Sequence, residues 1–85
     1  MLMTREKEET EIIKKYENCL KMMNDKCFEK GVESLKLLLE EKIIQEKDFD
    51  NLRYSCFISL ATVYENELKL IYEALYYLNK AININ

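Results

Sequence analysis

The sequence has no proline, no histidine and a single glycine, Gly31. Without proline nothing breaks a helical backbone, and one glycine leaves few positions that favour a left-handed turn. Against this stand 48% hydrophobic and 34% charged residues, interleaved along the chain, so the composition is that of an all-α domain and not of a disordered segment. The missing histidine removes the usual zinc constellations and any His-based triad or acid–base pair. No CxxC pair joins Cys19, Cys27 and Cys56. Cys19 and Cys56 fall on helix sides rich in apolar residues, where a thiol packs as a small hydrophobe. There is no glycine-rich phosphate loop and no nucleophile motif. No enzyme activity, cofactor or metal is therefore expected. No apolar run approaches the roughly 18–20 residues of a membrane span, and MLMTREKEETE lacks the apolar stretch of a signal peptide. An intracellular chain without a membrane partner is expected. The net charge of −3 offers no cationic face for nucleic acid.

What is present is helical periodicity. Eighty-five residues make one small domain, and a chain of that size buries only about 60% of its unfolded surface. Residues 1–11 read as a charged helical lead-in, with Thr4 as an approximate N-cap and Arg5–Glu9 and Lys7–Glu11 as pairs one turn apart. Residues 12–47 read as a first helix pair. Its first stripe is Ile12, Ile13, Tyr16, Cys19, Leu20 and Met23. Asn24-Asp25-Lys26 is a turn. A second stripe follows with Phe28, Gly31, Val32, Leu35, Leu38, Leu39 and Ile43, and EEKIIQE (40–46) extends that helix by about two turns. Residues 48–50 are a loop, with Asp50 or Asn51 capping the next helix. Phe49 either clamps this loop to the core or stands alone on the surface.

Residues 51–85 read as a second pair. Phe57, Leu60, Ala61 and Tyr64 share one side of its first helix, and Ala74, Leu78 and Ala81 share one side of its second. Ala61 and Ala74 are small, which lets two antiparallel helix axes approach to about 8–10 Å. Gly31 falls three residues after Phe28 and four before Leu35, as Ala74 falls after Ile71 and before Leu78. A mid-helix glycine costs about 1 kcal/mol relative to alanine, which close approach of a neighbouring helix would offset. Matching Tyr16 to Phe57 makes the chain an internal repeat. Leu75, Tyr76, Tyr77, Ile82 and Ile84 are left outside the second pair's seam. Leu75, Tyr76 and Ile82 thus mark a face for stacking on a following repeat or for self-association through the C-terminal helix.

The order large, large-plus-small, aromatic on one helix and small, large, small on the next resembles a tetratricopeptide repeat, with Ala61 where that family prefers glycine. The resemblance implies two antiparallel helix pairs, a fragment of an α-α superhelix, and a binding or scaffolding module. KYENCLKMMNDKCFEKGVESLKLLLEEKIIQE, LRYSCFISLATVYE and YEALYYLNKAININ look more narrowly like the N-terminal tetratricopeptide region of the calcineurin-binding cabin proteins and the fungal HIR histone-deposition scaffolds. That likeness implies a large nuclear scaffold subunit of a replication-independent histone chaperone complex, with other subunits of the complex or following repeats as its protein partners. A generic peptide-binding or adaptor module unrelated to chromatin is the alternative.

In such arrays the first helix of each pair lines a concave face. Here it would carry Lys14, Glu17, Lys21 and Asn24 from one repeat and Ser55, Ile58, Thr62 and Glu65 from the next. The carboxylate clamp of chaperone-binding members needs lysine where Glu17 stands and asparagine where Lys21 stands, so that version is excluded. A coiled-coil dimer is disfavoured by small residues at facing positions and by breaks near residues 25, 49 and 67.

Overall fold

The computed structural model describes residues 2–84, with side chains from Thr4 onward. Met1 and Asn85, the outer ends of the first and last segments above, lie outside the described residues. Four helices follow one another: α1 (Leu2–Asn24), α2 (Phe28–Leu39), α3 (Asp50–Asn66) and α4 (Ile71–Ile82). The fold is all-α, in two antiparallel pairs. α1 packs on α2 and α3 packs on α4, the second pairing being the more extensive, while α2 lies against α3 and joins the pairs. One cluster runs through both, from Ile12, Cys19 and Leu35 to Cys56, Leu60, Tyr64 and Ala74. The Cα envelope measures 45 × 30 × 15 Å, a thin slab.

The two helix reversals share a device. The first is closed by a paired bond, from the N–H of Cys27 to Met22 O (2.8 Å) and from that of Lys26 to Met23 O (3.0 Å), with Lys26 left-handed at φ 64°. This is the reversal that usually recruits glycine. The second is one residue wider, with Leu70 N–H reaching Tyr64 O at 2.7 Å and Lys69 at φ 58°. In each hairpin a lysine two residues before the next helix takes the strained conformation. None of α2, α3 and α4 has a side-chain cap at its N-terminus.

The small residues face inward. Gly31 is buried, and Ala61, Ala74 and Ala81 are no more than 3% exposed. What approaches Gly31, however, is a side chain and not a neighbouring backbone. A Cβ placed there would meet Met23 Sδ at 2.7 Å and Cε at 2.9 Å.

Several expectations are corrected. EEKIIQE does not prolong α2. The helix ends at Leu39, and the chain continues through two short 3-10 turns, Ile43–Gln45 and Lys47–Phe49. High helix propensity loses to tertiary contacts in this stretch. Leaving the helix turns Ile44 wholly inward, in place of the expected Ile43, and buries Phe49 to 8% exposure. The carbonyls freed at the end of α2 find a donor in Gln45, whose Nε2 gives a hydrogen bond to Leu39 O at 2.6 Å. Arg53 reaches back from α3 and donates to Ile44 O (2.6 Å) and Glu46 O (2.9 Å). Phe49 therefore clamps the connector to the core.

Asp50 is the first residue of α3 and not its cap; its carboxylate accepts from Arg53. Thr4 lies inside α1, which has already begun at Leu2. Ile12 is buried but Ile13, about 100° further round the helix, is 51% exposed. On α4 the same rotation exchanges neighbours: Tyr77 turns inward with Ala74 and Ala81, and Leu78, expected in the seam, lies at its edge.

Candidate interaction surface

The outer side of α4 is the largest departure from ordinary surface chemistry. Leu75, Tyr76 and Ile82, the residues singled out for stacking, are 51%, 54% and 69% exposed. Ile71, Tyr72 and Leu78 extend the patch, and Tyr72 is the most exposed of all at 85%. Sequence reading missed Ile71 and Tyr72 as part of this face. The signal was available for Ile71, because 71, 75, 78 and 82 step by four, three and four residues along one helix side.

Beneath this face an aromatic stack fixes α4 on α3. The Tyr77 ring lies parallel to Tyr64, with centroids 5.7 Å apart, and near-parallel to Phe57 at 6.2 Å. Tyr76 meets Tyr77 edge-on at 5.0 Å. Burial pushes the Tyr77 hydroxyl above its ordinary pKa. A groove of about 450 Å³ opens between α2 and α4, lined by Lys36, Leu39, Gln45, Phe57, Tyr76 and Lys80. The Lys36 ammonium stands 5.3 Å over the Tyr64 ring and that of Lys80 5.4 Å over Tyr76. Four separate segments build this groove, and no local sequence pattern announces it.

The residues assigned to a concave face are divided between two helices. Lys14, Glu17, Lys21 and Asn24 are exposed on α1. On α3, Thr62 and Glu65 are exposed while Ser55 and Ile58 are half-buried. α1 and α3 share no extensive contact, each being packed on its hairpin partner.

Charged residues tie the connector down. Arg5 on α1 forms a two-bond fork to Glu46, at 2.8 and 3.2 Å, and a further bond to Glu9 at 3.1 Å. Its guanidinium also stands 5.7 Å from the Phe49 ring centroid. The hydrogen bonds from Arg5 hold the Glu46 carboxyl below the usual carboxylate range. Lys15 pairs with Glu41 at 2.6 Å, which raises the lysine's pKa. Neither the Arg5 fork nor the Arg53 staple was legible beforehand, since each joins residues whose contact depends on the break in α2.

The three thiols are free. Burial raises Cys19, and it pushes Cys56 up to about 12, with the neighbouring Cys19 adding to the shift. Both behave as core residues, while Cys27 is exposed. Among the described residues no three Cys, Asp or Glu side chains converge as a metal site. No described helix is long and apolar enough to cross a membrane. Comparison with protein-family models, with curated proteins and with solved structures finds no match to the chain.

Proposed function

We propose that this chain is a protein–protein interaction module, two tetratricopeptide-like helix pairs acting as part of a scaffold and carrying no catalytic role. The observation that carries the reading is the outer face of α4. There Leu75, Tyr76 and Ile82 are exposed together with Ile71, Tyr72 and Leu78, on a domain whose core is already complete without them. Some of the carboxylates are taken up structurally: Glu9 and Glu46 serve Arg5, and Glu41 serves Lys15.

The narrower form of the proposal makes the chain the N-terminal tetratricopeptide fragment of a large nuclear scaffold in a replication-independent histone chaperone complex. Its support is the sequence resemblance over residues 12–85. Its partners would be other subunits of that complex or following repeats. The second reading, a peptide-binding adaptor unrelated to chromatin, draws on the groove between α2 and α4.

Affinity purification of the full-length parent separates them. Histone-deposition subunits recovered with the wild type and lost with Leu75→Glu are the expected result. Recovery of heat-shock chaperones or other adaptor partners in their place would overturn the chromatin reading. Retention of every partner by Leu75→Glu would overturn the role of the α4 face.

A further inference from the structure

Two lysines lining the groove between α2 and α4 have no carboxylate to neutralise them. Among the described residues Lys36 and Lys80 enter none of the ion pairs. This holds although Glu33 and Glu40 lie one turn to either side of Lys36 in the sequence. Each ammonium stands over a ring instead, Lys36 over Tyr64 at 5.3 Å and Lys80 over Tyr76 at 5.4 Å. Tyr77 stacks on Tyr64 and meets Tyr76 edge-on, so a connected run of three rings joins the two ammoniums. We propose that this groove binds a short acidic peptide segment of a partner protein. Its carboxylates meet Lys36 and Lys80, and an apolar side chain between them lies against Leu39, Phe57 and the Tyr77 ring. The proposal rests on the peptide-binding reading and names the class of ligand.

Charge, chemistry and form each favour this occupant. Glu40 is the one acidic side chain lining the groove against the two ammoniums, so the groove's balance is positive on a chain whose net charge is −3. The other nitrogen donor in its lining, the Gln45 amide, is already spent on Leu39 O at 2.6 Å and Glu41 O at 3.4 Å. Between the charges, Leu39, Phe57 and Tyr77 are half-buried and give an apolar floor. The walls are exposed or half-buried side chains, too open to surround a small molecule, which a ligand pocket buries by roughly 70–90%. An extended segment laid along two helices needs no such enclosure. The groove also differs from the concave face expected of α1 and α3, since α2 and α4, the second helix of each pair, supply both lysines.

The test titrates the intact chain with three short peptides and follows its backbone amide signals by NMR. One peptide has glutamates on both sides of a central phenylalanine, one has lysines in their place, and one has serine for the phenylalanine. The glutamate peptide is expected to bind reversibly and to shift the signals of Lys36, Leu39, Phe57, Tyr77 and Lys80. The serine peptide is expected to bind less tightly and the lysine peptide not to bind. Lys36→Gln and Lys80→Gln are each expected to remain helical and to weaken binding by up to about fivefold, the range of a surface ion pair. Glu40→Gln is expected to strengthen binding, and added salt to weaken it. Preference for the lysine peptide, or groove binding that neither lysine variant weakens, overturns the acidic ligand and leaves a peptide groove. Equal shifts with sodium glutamate at matched carboxylate concentration also overturn it. Groove signals that no peptide moves overturn the peptide-binding reading as well. The role of the outer α4 face stands apart from all of these, decided by the affinity purification with Leu75→Glu.

Discussion

The two hairpins solve one problem by different means. In α3–α4 the helices meet over Ala61, Ala74 and Ala81, all buried, and the space around these small residues is filled by the Phe57, Tyr64 and Tyr77 rings. In α1–α2 the small residue is Gly31, and a flexible methionine, Met23, lies over it. The hairpins also differ in balance. α3 and α4 have 17 and 12 residues, whereas α1 has 23 against 12 in α2. The N-terminal part of α1 therefore outruns its partner and finds contacts in the connector, through Ile12, Arg5 and Lys15. Rigid side chains close the second pair; a pliable side chain and surface ion pairs complete the first. The second should tolerate change less.

The sharpest test of the connector compares adjacent isoleucines. Ile44→Ala is expected to cost about 2–5 kcal/mol, as for a fully buried aliphatic side chain, and Ile43→Ala clearly less. Chemical denaturation of both variants checks this. Equal losses, or a larger loss at Ile43, would mean that α2 runs on through EEKIIQE.

Next come the two small residues. Ala74→Leu is expected to overpack the α3–α4 seam and cost about 1–3 kcal/mol. Gly31→Ala should change stability by less than about 1 kcal/mol, because the gain in helix propensity is set against a shift of the Met23 thioether, the free end of a flexible chain. Similar losses in the two variants would remove the distinction between a rigid and a pliable hairpin.

The turns are expected to respond alike. Lys26→Gly and Lys69→Gly should each stabilise by roughly 0.5–1 kcal/mol, since both lysines hold a left-handed backbone that costs a residue with a Cβ. A lower melting temperature in either variant would show that the lysine side chain contributes more than its backbone strain costs.

The smallest effect concerns acid. The Glu46 carboxyl is depressed in the folded chain by Arg5, so its contribution is present above the unfolded value and is lost as pH falls through the folded one. Wild type is expected to lose stability in that window slightly more steeply than Glu46→Gln, and added salt should narrow the difference. Superimposable pH profiles would show that the fork to Arg5 contributes nothing to stability in solution.

Composition and spacing alone determined that the chain is helical, that it doubles back twice, and that Gly31, Ala61, Ala74, Cys19 and Cys56 lie inside. Each follows from 3.6-residue periodicity and side-chain volume, properties carried within a short segment. Tertiary structure decided the rest. It ended α2 at Leu39 against strong helix propensity, because Ile44 and Phe49 gain burial and Gln45 and Arg53 supply donors for the carbonyls released there. It chose Ile12 over Ile13 and Tyr77 over Leu78, neighbours that periodicity leaves nearly equivalent until a partner helix fixes the rotation. The α4 face was half legible, Leu75, Tyr76 and Ile82 being left over from a seam that sequence could trace. Its extension to Ile71 was there to be read in the four-three-four spacing, while the inclusion of Tyr72 became plain only once α3 had taken the other side. Local forces choose the kind of element, but which side of it meets water is settled by the element packed against it.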